Sequence, residues 1–350
     1  YLGSSFAFLA PASMVIAKFG YPYALGGFVV TGAAGCLLAL IIKKVGTQWI
    51  DVVLPSAAMG PVVALIGLEL SSSAASTAGL LDEVINPANV IVFAVTLGVA
   101  VVGSVCFRKF LSVIPILIAI VCGYITAIFV GLVDLTPVLE ASFFSIPNFQ
   151  TPKFDINAIL MILPVLLVIT SEHIGHQIVT SEVVGTDLLK EPGLHRSMFA
   201  DNFSSMLSAM VGSVPTTTYG ENIGVMAITG VYSVQVIGGA AVISILCAFI
   251  GPLAALIETI PGPVIGGISF LLYGMIGTSG LRILVENKVD YSKSVNLILT
   301  SVVFVTGLSG ATITLGSTQL SGMVLACIVG MLLSLLFYVF DKTNLLNKEG

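Results

Sequence analysis

Charge is what this sequence has least of. Of its 350 residues, 13 are Lys or Arg and 18 are Asp or Glu, so only 9% are charged. Soluble domains carry about 25%. With 57% hydrophobic residues and a mean hydropathy of +1.09, the chain has too little polar surface to cover a water-facing globule. A soluble enzyme or a nucleic-acid-binding module is thereby excluded, and an all-α polytopic membrane protein in contact with lipid is predicted. Histidine and cysteine are also scarce, at three and five residues. Cys36, Cys106, Cys122, Cys247 and Cys327 all fall in apolar runs, and none has the spacing of a metal ligand. They read as small core residues, with no disulfide, metal or cofactor expected. No cleavable signal peptide is visible. The chain opens at Tyr1 on residues that read as internal, so an N-terminal part is expected to precede it.

What the sequence does have is a series of apolar runs. In the first half, spans are predicted over residues 23–42, 52–70, 89–107 and 110–133, after a broken first element at 1–19 interrupted by Pro11. A long connection at 134–156 follows, and the pattern restarts. Spans are predicted over 158–177, 198–213, 231–257, 263–281, 295–310 and 322–340, with a second broken element at 214–229. If the spans alternate, every Lys and Arg except Lys18 and Lys153 falls on one side. By the positive-inside rule that side is cytoplasmic. The connections at 71–88 and 311–320 hold no basic residue and face the other way.

The second half therefore has seven elements with the broken one third, and the first half has five with the broken one first. Two seven-element repeats would match if two spans lay upstream of Tyr1. An odd-numbered repeat inserts inverted relative to its partner. Inverted repeats with broken helices at matching positions point to a transporter whose site lies near the membrane midplane.

The second broken element carries the strongest signal. Residues 214–224 read Val-Pro-Thr-Thr-Thr-Tyr-Gly-Glu-Asn-Ile-Gly. This stretch is too polar for lipid and too broken for a helix, and at membrane depth such backbone survives only where protein covers it or it lines a cavity. Gly220 lets backbone approach a ligand closely. Glu221 can accept from ligand N–H groups, and the helix that follows aims its own N–H groups at the site. The plainer reading of Glu221 is a partner for the helix dipole. A second cluster is Ser171-Glu172-His173-Ile174-Gly175-His176. Glu172 and His176 are four apart and share a helix face, with His173 rotated away. A substrate carboxylate with a neighbouring histidine would permit proton coupling, whereas the plainer reading is a polar helix end in water. Phe6, after Ser4-Ser5 in the first broken element, could stack on a flat ring. Glu69, Asp201 and Glu258 read as structural or gating acids. An intramembrane metal site is disfavoured, because the order His-Glu-x-x-His is absent. An anion carrier would place basic or neutral groups at the broken elements, where this chain is acidic.

At these residues the sequence resembles the nucleobase–ascorbate transporter family along its whole length. The resemblance rests on Tyr1 to Phe8, Glu172-His173-Ile174-Gly175-His176, Gly193 to Ala200, and the run from Tyr219 to Thr229. The family signature, Gln, Glu or Pro followed by Asn-x-Gly, four residues and Thr, reads here Glu221-Asn222-Ile223-Gly224 and then Thr229. The resemblance implies fourteen membrane segments in two inverted repeats, each with a broken element of short strand plus half-helix. It implies a core domain from residues 1–44 and 157–258, and a gate domain from 45–134 and 259–341. It implies that Phe6, Glu172, Gly220 and Glu221 bind substrate, and that Glu172 and His176 couple transport to a proton. Glu221 in the signature is similar to the members that carry uracil. A proton-coupled uracil importer of the bacterial cytoplasmic membrane is therefore expected, with a xanthine or other nucleobase permease as the alternative. A homodimer is expected from the resemblance alone.

Overall fold

In the computed structural model, residues 2–46, 48–315 and 318–346 are described, with the side chains of Glu221, Leu315, Thr318, Gln319 and Ser321 outside that description. Strand β1 (Leu2–Ser4) passes through a short turn at Phe6–Phe8 into α1 (Leu9–Phe19). Pro11, expected to interrupt this element, sits in the first turn of α1 instead. An amide hydrogen there would have had no helical partner, so its absence costs nothing. Gly20, at φ +94°, turns the chain into α2 (Tyr21–Val45). Lys43 and Lys44 lie in the last turn of α2, where the helix dipole favours cations. Short α3 (Gln48–Val53) stops before Pro55 and α4 (Ser56–Glu69) follows. After α5 (Ser71–Thr77), Asn86 caps α6 (Pro87–Cys106) by accepting from the Ala88 N–H at 3.0 Å. Then come α7 (Pro115–Phe129) and the single turn α8 (Thr136–Glu140).

In the second half, Asp155 caps α9 (Ile156–Ile162), Pro164 separates it from α10 (Val165–Val184), and Gly185 ends α10 in the left-handed conformation. Next are α11 (Leu194–Met210), β2 (Thr216–Thr218), α12 (Gly220–Thr229) and α13 (Val234–Cys247). The single long span expected over 231–257 is broken, because Gly251 and Pro252 open a separate α14 (Gly251–Glu258). Proline cannot supply the amide hydrogen that would continue the helix. The chain ends with α15 (Gly262–Glu286), α16 (Ser294–Leu308), a hairpin of β3 (Thr312–Leu315) and β4 (Thr318–Ser321), and α17 (Gly322–Lys342). The hairpin occupies the connection read from sequence as a plain loop.

Among the described residues, six helical stretches are long and apolar enough to cross a membrane, including Tyr21–Val45, Ile156–Val184 and Gly322–Lys342. Large apolar side chains point outward on the helices; Val105 in α6, Phe129 at the end of the shorter α7 and Val234 at the start of the shorter α13 are each more than 80% exposed. On a soluble protein such surfaces would drive aggregation, but against lipid tails they are at home.

The chain packs as two contact-dense units. The first comprises Tyr1–Glu69, Phe149–Ile223 and Ile276–Gly350. Its core includes Leu25, Phe28, Leu65, Ile66, Ile162 and Met198. Here α2 and α11 lie so close that a side chain at Gly35 would overlap Asn202. The second comprises Leu70–Asn148 and Gly224–Met275. Within it Phe93 meets Phe270 edge to face at 5.1 Å, and the Tyr124 and Thr259 hydroxyls lie 2.6 Å apart.

Both broken elements have the expected form of a strand followed by a short helix. β1 and β2 pair antiparallel, Leu2 opposite Thr218, Gly3 opposite Thr217 and Ser4 opposite Thr216. A two-stranded ribbon leaves edge groups without sheet partners, and inside a bilayer these must be met by protein. Ser205 of α11 meets one edge: its hydroxyl donates to the Thr216 carbonyl at 2.7 Å and accepts the Thr216 N–H at 3.0 Å. The Ser5 N–H extends the pairing to the Pro215 carbonyl at 2.9 Å. Helix α12, with ten residues, is about 15 Å long and cannot span a bilayer by itself.

Candidate functional site

The site forms where the ribbon meets α10, within the first unit. Helix periodicity puts Glu172 and His176 on the face of α10 turned to β2. The Thr217 hydroxyl lies 3.4 Å from Glu172 Oε2, at the long end for a hydrogen bond. His176 Nδ1 lies 2.9 Å from the Thr218 hydroxyl. Gly220 begins α12 beneath this histidine, and a methyl group there would come within 3.2 Å of His176 Nε2. The glycine thus keeps backbone within reach of the imidazole.

These groups line one cavity. Its walls include Phe6, Glu172, His176, Gly220, Tyr219 and Ser279. Four sequence-predicted site residues, Phe6, Glu172, His176 and Gly220, are therefore brought together although they come from three separate stretches of chain. Glu221 lies in the first turn of α12, and its side chain falls outside the described residues. The interior as it stands has room for about one water, so a flat heterocycle enters only if the lining parts. A second cavity shares Val63, His176, Gly220 and Ser279 and runs on to Arg282, which pairs with Glu286.

The aromatic wall is a pair. Phe6 stacks on Tyr219 with ring centroids 6.2 Å apart and planes 15° from parallel. The Tyr219 hydroxyl donates to the Ser4 carbonyl at 2.6 Å and lies 3.0 Å from the Ser4 hydroxyl. Tyr219 therefore ties the end of β2 back to β1 while presenting a ring to the cavity. Tyr219→Phe keeps the ring and removes the tie. It is expected to cost about 1 kcal/mol, read as a small drop in the thermal midpoint of the purified protein. A drop as large as that from Tyr219→Ala would show that the hydroxyl matters more than the ring.

His173 faces the opposite way, as its helical position predicts. It is buried against α11, with Nδ1 3.0 Å from Asp201 Oδ2 and Nε2 2.9 Å from the Ser197 hydroxyl. Asp201 is also buried, and its second oxygen has no hydrogen-bond partner among the described atoms. This cluster does not reach the cavity but fixes the rotation of α10, and with it the direction of Glu172 and His176.

Sequence reading missed Val63 and Ser279. Ser279 sits in a Gly-rich apolar helix, where a hydroxyl carries almost no penalty and leaves no signal. Tyr219 was within the stretch singled out but was not given a role. No group of His, Cys, Asp and Glu able to hold a metal ion occurs among the described residues.

Comparison with known proteins adds to this geometry. A family model named Xan_ur_permease, described as a permease family, matches residues 1–316. The chain is 54% identical over 340 residues to the uracil permease of Escherichia coli (strain K12), covering 96% of this chain and 79% of that protein. It is 51% identical over 354 residues to the uracil permease of Paenibacillus larvae, covering 99% of this chain and 84% of that one. Among solved structures it resembles SLC26A9 with a TM-score of 0.59 at 12% identity, over 97% of this chain and 57% of that one. At that identity the likeness concerns the fold alone.

Proposed function

The chain belongs to the nucleobase–ascorbate transporter family of permeases, a multi-pass membrane family, and from that membership we propose that it imports uracil across the bacterial cytoplasmic membrane together with a proton. The observation that carries the cargo is the 54% identity to a uracil permease over nearly the whole chain. The cavity beside the strand ribbon supports the site.

Uracil is a flat ring with two N–H donors and two carbonyl acceptors. Glu172 and Glu221 supply carboxylates for the N–H groups, the backbone at Gly220 reaches a ring edge, and Phe6 packs on its face. Burial excludes water, so each of these hydrogen bonds is worth more than it would be in solution. It also makes an uncompensated charge on Glu172 costly. Taking a proton as the substrate enters, with His176 one helical turn away to receive or return it, lets the loaded site cross without net negative charge.

The test is uptake of labelled uracil by the full-length protein in liposomes, with and without an inward proton gradient. Uptake accelerated by the gradient and resistant to excess xanthine is the expected result. Gradient-independent uptake would remove the proton, and strong competition by xanthine would move the cargo to a purine.

A further inference from the structure

Glu69 is an intramembrane carboxylate that the nucleobase site does not use. It ends α4 inside an apolar helical segment that runs on to Thr77. An ionisable group within a membrane-crossing segment is costly and is kept for a purpose. Its Oε2 accepts the N–H of Met323 at 2.9 Å, at the start of α17. A helix start favours a negative group, and a carboxylate accepts more strongly than a neutral carboxyl. Gly322, at φ +54°, leaves the space the carboxylate fills: a Cβ there would lie 2.5 Å from Glu69 Oε2.

A small cavity opens beside this contact. Ala10, Pro11 and Met14 of α1 form one wall, with Met161 of α9 and Leu320, Met323 and Val324 around the rest. Glu69 is the one titratable group among its lining residues. On the elements packed around it, the other titratable groups are Lys18 of α1 and Cys327, Tyr338, Asp341 and Lys342 of α17, and none of these lines it. Helix α1 follows β1 through the Phe6–Phe8 turn, so the cavity lies along the helix that leads away from the nucleobase site. The α4 and α17 ends that meet here adjoin the two connections without basic residues, which by the charge rule face outward.

We propose that Glu69 is an outer latch. As a carboxylate it fastens the start of α17 to the end of α4 and closes the outward mouth along α1. When it takes a proton from outside, its hold on the Met323 N–H weakens and the mouth opens. The latch would thus couple the outer opening to external acidity at a place separate from Glu172. The proposal rests on the reading of the protein as a permease, but its test requires no substrate, so a wrong cargo leaves it standing.

The test is labelling of Met14→Cys by a membrane-impermeant thiol reagent in intact cells expressing the full-length protein. Rates are taken relative to Val84→Cys, an exposed position on the outer connection beyond Thr77, which cancels the pH dependence of the reagent. With Glu69 present, relative labelling is expected to rise about tenfold from mildly alkaline to mildly acidic medium, the size of one charge-assisted hydrogen bond. With Glu69→Gln it is expected to be fast at both pH values, and likewise with Gly322→Ala, which pushes the carboxylate aside. Ala10→Cys on the same wall is the second reporter if Met14→Cys does not reach the membrane. Labelling independent of pH with Glu69 present, or a pH dependence unchanged by Glu69→Gln, overturns the latch.

Discussion

Glu172→Ala is expected to weaken uracil binding by at least about thirtyfold, and transport by as much or more. The side chain is 7% exposed, faces the cavity and stands opposite Thr217. In the proposed binding mode, its removal leaves a uracil N–H facing a void rather than an acceptor. A buried hydrogen bond to a charged group, once broken from one side, costs its full desolvation penalty. Glu172→Gln separates two roles. The amide oxygen still accepts one hydrogen bond, so binding is expected to fall by no more than about tenfold. The amide does not titrate, so acceleration by a proton gradient is expected to vanish. Gradient-driven uptake that survives Glu172→Gln would assign the proton elsewhere, with His176 the next residue to replace.

The second large effect is expected away from the cavity. Asp201→Ala leaves the buried His173 without its Nδ1 partner and removes one of the contacts between α10 and α11. The expected cost is about 3 kcal/mol, seen as a large fall in the thermal midpoint and in the amount of folded protein recovered. Replacing both residues, His173→Leu with Asp201→Ala, is expected to cost less than the sum of the two single changes, because no polar group is then stranded. Strict additivity would mean that the 3.0 Å contact carries no coupling and that α10 is oriented by apolar packing alone.

How much of this was legible in the sequence follows from what a bilayer penalises. Glu172, His176 and the run from Thr216 to Glu221 stood out because each places polar atoms where lipid would otherwise be. The strand-plus-half-helix form of both broken elements came from the family resemblance rather than from this polarity, and β1 and β2 indeed pair with each other. Val63 and Ser279 carried no such signal, since an apolar or small hydroxyl side chain is equally at ease facing lipid, a neighbouring helix or a cavity. Pro11 and Pro252 show that proline must be read with its position in the helix. The first falls in an opening turn and is harmless, whereas the second starts a new helix and divides an apolar run that looked continuous. The hairpin β3–β4 was hidden because two four-residue strands in a connection look like any Thr-rich loop. The Asp201 partnership with His173 spans 28 residues, and the sequence gives no sign of it beyond the presence of an acid near a helix start.

The most direct test of the account is equilibrium binding of labelled uracil to the purified full-length protein, with Glu172→Ala alongside and Tyr219→Phe as a variant that should still bind. Saturable binding displaced by unlabelled uracil but not by xanthine, lost in Glu172→Ala and kept in Tyr219→Phe, is the result this account predicts. Uracil binding at full strength in Glu172→Ala would place the substrate outside the cavity between α10 and the strand ribbon, and would contradict it.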